Sequence, residues 1–405
     1  MTVDWVRALA VLDMVAFTAA ALSCIGIAQA LFGGILTRRF VALPPPVTAA
    51  LPPITVLKPL HGDEPLLEAA LATLCRQNYP DFQIVFGVQD PADSAIPVVD
   101  RLRERFPACD IALVVDSANH GPNRKIGNLI NMMTAARHDV LVIADSDLHV
   151  RLEYLADLAG ALAQPRTGLV TTLYAGLPAS RSVFARLGAT QITHTFLPGA
   201  LLARALNRQD CLGATMALRR DTLARIGGLQ ALAAHLADDN VLGMLVRRLG
   251  LEVRLAGTVV ATTVPEDRFG PLWRHELRWA RTIRALVPGA FALSVLQYPI
   301  FWALVALLAS GGAIWAVALL VLAWQGRALA ATGIDHALGG KMETLAFPAP
   351  VWLLPVRELL SVAVMLASYA GKTVDWRGHA MHATGLATHD KNPAPPASAE
   401  GLHPL

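Results

Sequence analysis

The chain has 405 residues, more than one small domain needs; 54% of them are hydrophobic and only 16% are charged. Soluble proteins carry about 25% charged residues, so this balance, with a mean hydropathy of +0.46, points away from an ordinary soluble enzyme and toward a polar domain carried by membrane segments. A net charge of +3 with no long Lys/Arg block argues against nucleic acid as a partner.

Cys24, Cys75, Cys109 and Cys211 are widely spaced and form no CxxC pair. That pattern makes neither a disulfide framework nor a zinc site, and it fits buried free thiols in a reduced cytoplasmic setting.

Residues 8–36 are almost continuously apolar, longer than the ~20 residues that span a bilayer. A signal peptide would have a shorter apolar core, without Asp13. Residues 1–37 are therefore expected to form a transmembrane helix, with Asp13 near its interfacial end. Arg38 and Arg39 follow it directly, while Arg7 alone precedes it. The positive-inside rule then places the N-terminus outside and the rest in the cytoplasm. Residues 38–53, proline-rich from Val41 to Pro53, read as a linker that cannot continue the helix.

From Ile54 the pattern changes. ITVLKPL, QIVFGVQD, DIALVVD and DVLVIADSD read as buried strands. EPLLEAALATLCRQ, AIPVVDRLRERF and KIGNLINMMTAA have helical periodicity. Alternating strands and helices imply parallel pairing in an α/β sheet over residues 54–272. Ligands of such sheets bind at the carboxyl ends of the strands. There Asp90 and Asp93 follow the second strand, Asn119 to Lys125 the third, and Asp145 and Asp147 the fourth. Neither GxGxxG nor GxxxxGK[ST] occurs, so no Rossmann or P-loop site is signalled.

Residues 273–285 read as an interfacial helix. Residues 286–384 read as membrane helices or re-entrant segments. Within them, 286–325 is expected to make two helices broken at Gly311-Gly312, the second short for a span. Phe347 to Ala370 is a third candidate, interrupted by Pro348, Pro350, Pro355, Arg357 and Glu358. Asp335, His336, Arg357 and Glu358 read as loop solvation and helix ends. Residues 385–405 are polar and proline-rich and read as a disordered tail.

Three stretches carry chemistry. Asp145 and Asp147, one residue apart at a strand exit, suit a hard divalent cation such as Mg²⁺ or Mn²⁺, or else make a solvated turn. Asp238 and Asp239 open a helical pattern, as helix caps or with one as a general base. PLWRHELRWARTIRAL repeats Arg and Trp on a helix just before the apolar region. It reads as an interfacial anchor, or as one whose Arg278 and Trp279 also complete a pocket, the Arg facing a diphosphate.

The order VLKPLHG, QDPAD, NRKIGNL, ADSD, CLGATMALRRDTL, ADDN and LRW before apolar helices resembles the membrane-bound ceramide glucosyltransferases, glycosyltransferase family 21. The resemblance covers roughly residues 10–380. It implies an α/β GT-A type nucleotide-sugar-binding domain with a parallel-rich mixed sheet, plus N- and C-terminal membrane helices. It implies that Asp90 or Asp93 binds the nucleotide, with Lys125 and Asn128 beside it and His194 in the donor site. Asp145, with Asp147, would hold the metal, Asp239 would be the base, and Arg278 and Trp279 match the RW of the last motif. This chain departs from the family in having His275 where Gln or Arg is usual, and from the animal ceramide enzymes in having Asp147 where they have a residue without a carboxylate. Its Ala- and Arg-rich composition looks bacterial. Among bacterial relatives it resembles the hopanoid-biosynthesis-associated glycosyltransferase, which moves N-acetylglucosamine from UDP-GlcNAc onto bacteriohopanetetrol. The alternatives are a bacterial ceramide glycosyltransferase using UDP-glucose and a polysaccharide synthase that secretes its polymer. The expected location is the bacterial inner membrane, with the catalytic domain facing the cytoplasm and a membrane lipid, hopanoid or ceramide, as acceptor.

Overall fold

The computed structural model describes residues 2–44, 51–340, 348, 350–371, 373–376 and 379–382. The segment 385–405 and residues 45–50 of the linker lie outside the described residues. Helix α1 spans Thr2–Ala42. It thus runs past residue 37, through Arg38 and Arg39, and stops just before the first proline of the run, Pro44, which cannot donate to a helix.

The polar part is built on an eight-stranded sheet. Its strands are β1 (Ile54–Pro59), β2 (Phe82–Val88), β3 (Asp110–Val115), β4 (Val140–Ala144), β5 (Leu148–His149), β6 (Thr167–Pro178), β7 (Thr215–Arg219) and β8 (Glu252–Val264). They lie in the order β3-β2-β1-β4-β7-β6-β8-β5. The first four pair in parallel, as the alternation of strands and helices implies. β7 then runs antiparallel to both β4 and β6, and β5 antiparallel to β8, so the sheet is mixed. The reversal brings the start of β7, at Thr215, against the end of β4, at Ala144.

Side chains alternate across the sheet. Val56, Ile84, Phe86, Val140 and Val142 enter one apolar layer, while Leu57, Val85, Leu141 and Ile143 enter the other. Helices α2 (Leu67–Cys75), α3 (Ile96–Arg105) and α5 (Tyr154–Leu162) cover the first face. Helices α4 (Arg124–Met132), α8 (Arg220–Arg225) and α9 (Asp238–Arg248) cover the second. A strand buried on both faces is apolar along most of its length, which explains why these strands read as near-continuous runs. Each fully buried Leu, Ile or Phe among them contributes ~1.5–3 kcal/mol.

Helices α6 (Val183–Gln191) and α7 (Leu197–Ala205) are joined through a π-helical turn at Ile192–Phe196. Then follow α10 (Phe269–Leu286), α11 (Pro288–Leu293), α12 (Pro299–Ala309), α13 (Ile314–Gly339) and α14 (Leu354–Ser368). Among the described residues, three segments are long and apolar enough to cross a membrane: Leu9–Ala42, Ile314–Gly339 and Val351–Ser368. The pair Pro288–Gln297 and Pro299–Ala309 is bent by 69° and forms a broken span or a re-entrant loop. The break at Gly311-Gly312 is present, both residues having positive φ of 66° and 86°. The segment after it is not short, because α13 continues to Gly339 for 26 residues.

Small residues let these helices approach one another. A Cβ on Gly26 would lie 3.1 Å from Pro299, and one on Gly326 would lie 2.9 Å from Ile27. Ser23 donates to the Pro299 carbonyl across the same contact, at 2.9 Å. Outward-facing residues such as Phe17, Leu308, Ile314, Leu329 and Leu366 remain exposed and apolar, as a lipid-facing surface requires. The bundle joins the sheet through Val41, Ile334 and Leu338, which pack with Leu173 of β6 and Val259 of β8.

The structure corrects the reading of three of those four polar residues and keeps His336 at a helix end. Arg357 and Glu358 are each 1% exposed. Arg357 clamps Glu276 of α10 through two hydrogen bonds. Glu358 pairs with Arg327 of α13 at 2.9 Å and accepts from the first amides of α12, Ile300 and Phe301. Asp335 bonds His194 at 2.6 Å. His336 lies within α13, in its last turn. Three of the four are therefore internal ties between helices, since a charge can stay buried only with a partner.

Candidate active site

β2 and β3 lie on one side of β1, and β4 lies on the other. The sheet therefore changes its direction of growth between β1 and β4, and a crevice opens beyond their carboxyl ends. Lys58, near the end of β1, is fully buried there. Its ammonium donates to the backbone carbonyl of Asp145, just past β4. Burial lowers the Lys58 pKa to about 8, against the opposing pull of Asp147, Asp145 and Glu64.

Asp145, Ser146 and Asp147 form the turn from β4 to β5. Ser146 donates to Glu64 at 2.9 Å, drawing a third acid to the rim. Asp147 accepts from Thr262 of β8 at 2.6 Å. Burial and the adjacent Asp145 charge push its carboxyl up to about 6. Asp145 takes a 2.7 Å ion pair from Lys125, at the start of α4, and the same ammonium lies 3.9 Å from Asp238. Burial works against charge on Lys125, but Asp145 and Asp238 outweigh it and hold the amine above its ordinary pKa.

Asp238 and Asp239 open α9 from the opposite wall. Asn123 donates to Asp238 at 3.3 Å. Burial raises the Asp238 carboxyl. Burial, with Asp238 beside it, pushes Asp239 up to about 7. A Cβ on Gly213 would lie 2.9 Å from Asp239 Oδ2. The loop before β7 therefore passes this carboxylate closely because residue 213 is glycine. Five acids and two lysines thus meet where β1, β4, β7 and α9 converge.

The other site residues predicted above have partners of their own. Asp93 accepts from the amides of Gly62 and Ala95 and faces His61 at 3.6 Å. Asp90 accepts from Ala92 in the same loop. Asn128 is buried and donates to the Gly87 carbonyl, tying α4 to β2. His194 sits in the π turn, fully buried against Asp335 of α13. Among the described residues, no hydrogen bond joins it to the Asp145 cluster.

Arg278 and Trp279 are on α10, which descends from β8. Trp279 packs on Val264 and Ile192 and meets the His275 ring edge-on at 4.7 Å. His275 Nδ1 is hydrogen-bonded to Glu266, in the loop between β8 and α10. Burial works to raise Glu266, but the His275 hydrogen bond and charge outweigh it and hold the carboxyl below its usual range. Sequence reasoning missed Lys58, Glu64, Gly213, Thr262 and Glu266. A lysine inside the otherwise apolar ITVLKP run was a usable signal; the other four depend on long-range contacts.

Among the described residues no three His, Cys, Asp or Glu side chains form a ready metal cage. Asp145 and Asp147 nevertheless make an all-oxygen pair whose carboxyls are crowded enough to raise Asp147. A hard cation that keeps phosphate or water ligands needs only one or two carboxylates. The donor set fits such an ion.

Residues 14–386 match the profile of glycosyl transferase family 21. The chain belongs to that family. This family 21 member is 31% identical over 107 residues to the ceramide glucosyltransferase of Candida albicans, covering 24% of this chain and 20% of the relative. It is 26% identical over 272 residues to an N-acetylglucosaminyltransferase of Rhizobium meliloti, covering 63% of this chain and 61% of that one. The matches thus span about a fifth and about three fifths of those relatives' lengths. A mannosyltransferase from Pyrobaculum calidifontis, solved with GDP-Man and Mn²⁺, superposes with a TM-score of 0.51 at 19% identity, over 88% of this chain and 99% of that one. The fold of the family 21 protein is the GT-A type, carried with helices apolar enough to span a membrane.

Proposed function

We propose that this family 21 protein transfers a sugar from a UDP donor to the primary hydroxyl of a membrane lipid, with inversion at the anomeric carbon. The observation that carries this reading is the convergence of Asp145, Asp147 and Asp239 on the crevice between β1 and β4. Asp239 is assigned as the base, and its carboxyl near pH 7 suits proton transfer at neutral pH. It takes the proton of the acceptor hydroxyl as that oxygen bonds to the anomeric carbon. The bond from that carbon to the diphosphate oxygen breaks, and UDP departs with the bonding pair. One displacement converts an α-linked donor into a β-linked product.

Lys125 and Arg278 face the charge that develops on the departing diphosphate. Asp145 and Asp147 would hold Mg²⁺ or Mn²⁺, which would supply further charge neutralisation there. Asp90 or Asp93 and Asn128 are assigned to the nucleotide wall, His194 to the donor side and Trp279 to the membrane side of the pocket. The domains follow the same plan: an anchor helix, a GT-A unit over 54–272, an interfacial helix over 273–285, which is the greater part of α10, and a membrane bundle that begins at 286 and ends before the two-stranded sheet of Thr373–Trp376 and His379–His382. The catalytic unit faces the cytoplasm of a bacterial inner membrane, on the strength of Arg38 and Arg39 at the carboxyl end of the first apolar helix.

The apolar helices have a reason in this scheme. A lipid acceptor leaves the bilayer at a cost of ~0.8 kcal/mol per exposed CH₂, so the enzyme meets it at the interface. The preferred acceptor is bacteriohopanetetrol and the preferred donor UDP-GlcNAc; the N-acetylglucosaminyltransferase from Rhizobium meliloti supports that sugar. The relative from Candida albicans favours a second reading, ceramide with UDP-glucose. The test is a matrix of both donors with both acceptors, using purified protein in lipid and reading products by mass. A hexosamine adduct on the hopanoid, lost with EDTA, supports the first reading. A hexose adduct on ceramide alone selects the second. No adduct in any cell of the matrix overturns both.

A further inference from the structure

β8 touches two parts of the site. Its Thr262 donates to Asp147, and the Thr263 amide donates to the Asp147 carbonyl at 3.1 Å. Just beyond its end, Glu266 is hydrogen-bonded to His275 Nδ1. The Glu266 side chain is 9% exposed and that of His275 is 30% exposed. Trp279 closes on the same imidazole edge-on, one turn later in α10. On the adjacent position Glu276 is locked to Arg357 of α14. The helix and the ring are therefore both fixed.

A carboxylate on Nδ1 sets the tautomer of a histidine and leaves Nε2 as its working nitrogen. In the imidazolium both nitrogens donate, so with Nδ1 on the carboxylate Nε2–H is left for a phosphate oxygen. Arg278 lies three residues from His275 on α10, within reach of the Glu266 charge. We propose that Glu266 is a positioning residue: it orients His275 so that Nε2 acts with Arg278 on the diphosphate of the nucleotide donor. This rests on the functional reading above, in which the α10 motif faces the leaving diphosphate. A glutamine at 275 would need no such partner, so the dyad answers the presence of histidine in this chain.

The test compares the wild type with Glu266→Gln, His275→Ala and the double variant in lipid. Transfer is read as kcat/KM, and binding of UDP and of UMP by calorimetry. Outer partners of this kind change affinity or activity by ~10–100-fold. Each single variant is expected to lose at least ~10-fold in kcat/KM, and the double variant no more than the worse single. UDP affinity should fall with transfer in both singles while UMP affinity stays level, because UMP lacks the second phosphate. Losses that add in the double variant overturn the inference, and so does an equal fall in UDP and UMP binding. Should Glu266→Gln not fold, Glu266→Asp serves, with a smaller loss in the same pattern expected. A wild type that neither binds UDP nor transfers from any UDP-sugar removes the functional reading, and this inference with it. A wild type that transfers but is indifferent to Glu266→Gln removes the inference alone.

Discussion

Arg357 of α14 grips Glu276 of α10 with two parallel hydrogen bonds of 2.7 Å each. Their side chains are 1% and 11% exposed. The clamp joins an apolar helix to the segment that carries His275, Arg278 and Trp279. Arg357→Leu strands the Glu276 carboxylate and should cost about 3–5 kcal/mol. Arg357→Lys keeps the charge without the fork and should lose less. Thermal unfolding in detergent, followed by tryptophan fluorescence, checks both. An unchanged melting temperature in Arg357→Leu would show that the clamp contributes nothing.

Asp239→Asn should lower kcat ~10²–10⁴-fold, the range for a general base, with donor binding retained. Calorimetric titration with UDP separates a lost base from a lost pocket. Near-normal turnover in this variant removes Asp239 from its role.

The same carboxyl sets a pH limb. Burial and Asp238 hold Asp239 up near about 7, and it accepts a proton only when ionised. The kcat/KM should therefore decline as pH falls below that value. Asp238→Asn removes a like charge and should move the limb to lower pH. A limb that stays in place would point to another base.

Asp147 gives a stability signature. Its carboxyl is pushed up to about 6 in the folded chain, against an ordinary value near ~3.9. Below the ordinary value both states are protonated and the site costs nothing. As pH rises through about 6 the folded state must carry a crowded charge, and stability falls. Asp147→Asn should raise the melting temperature of the ligand-free protein at pH 7.5 by about 2–4 °C, with the gain gone near pH 4. Scanning calorimetry at both pH values reads the difference, and a destabilised Asp147→Asn at pH 7.5 would reverse the argument.

Local pattern determined a good deal of this protein. The runs at 54–59, 82–88 and 140–144 are mostly apolar because their strands are buried on both faces, and the first four strands pair in parallel as their spacing implies. The aspartates at 145, 147 and 239 stand at element ends, where the polar side chains of an α/β sheet gather, so local pattern singled them out. What the tertiary structure alone decided is partnership. Arg357, Glu358 and Asp335 have the polarity of solvated helix ends, and their sequence neighbours give no other sign. Their partners Glu276 and His194 lie 81 and 141 positions away, and Arg327 reaches Glu358 from another helix. Whether a charged side chain is solvated or buried depends on an opposite charge within a few ångströms. Chain separation says nothing about that distance; only packing brings the pair together.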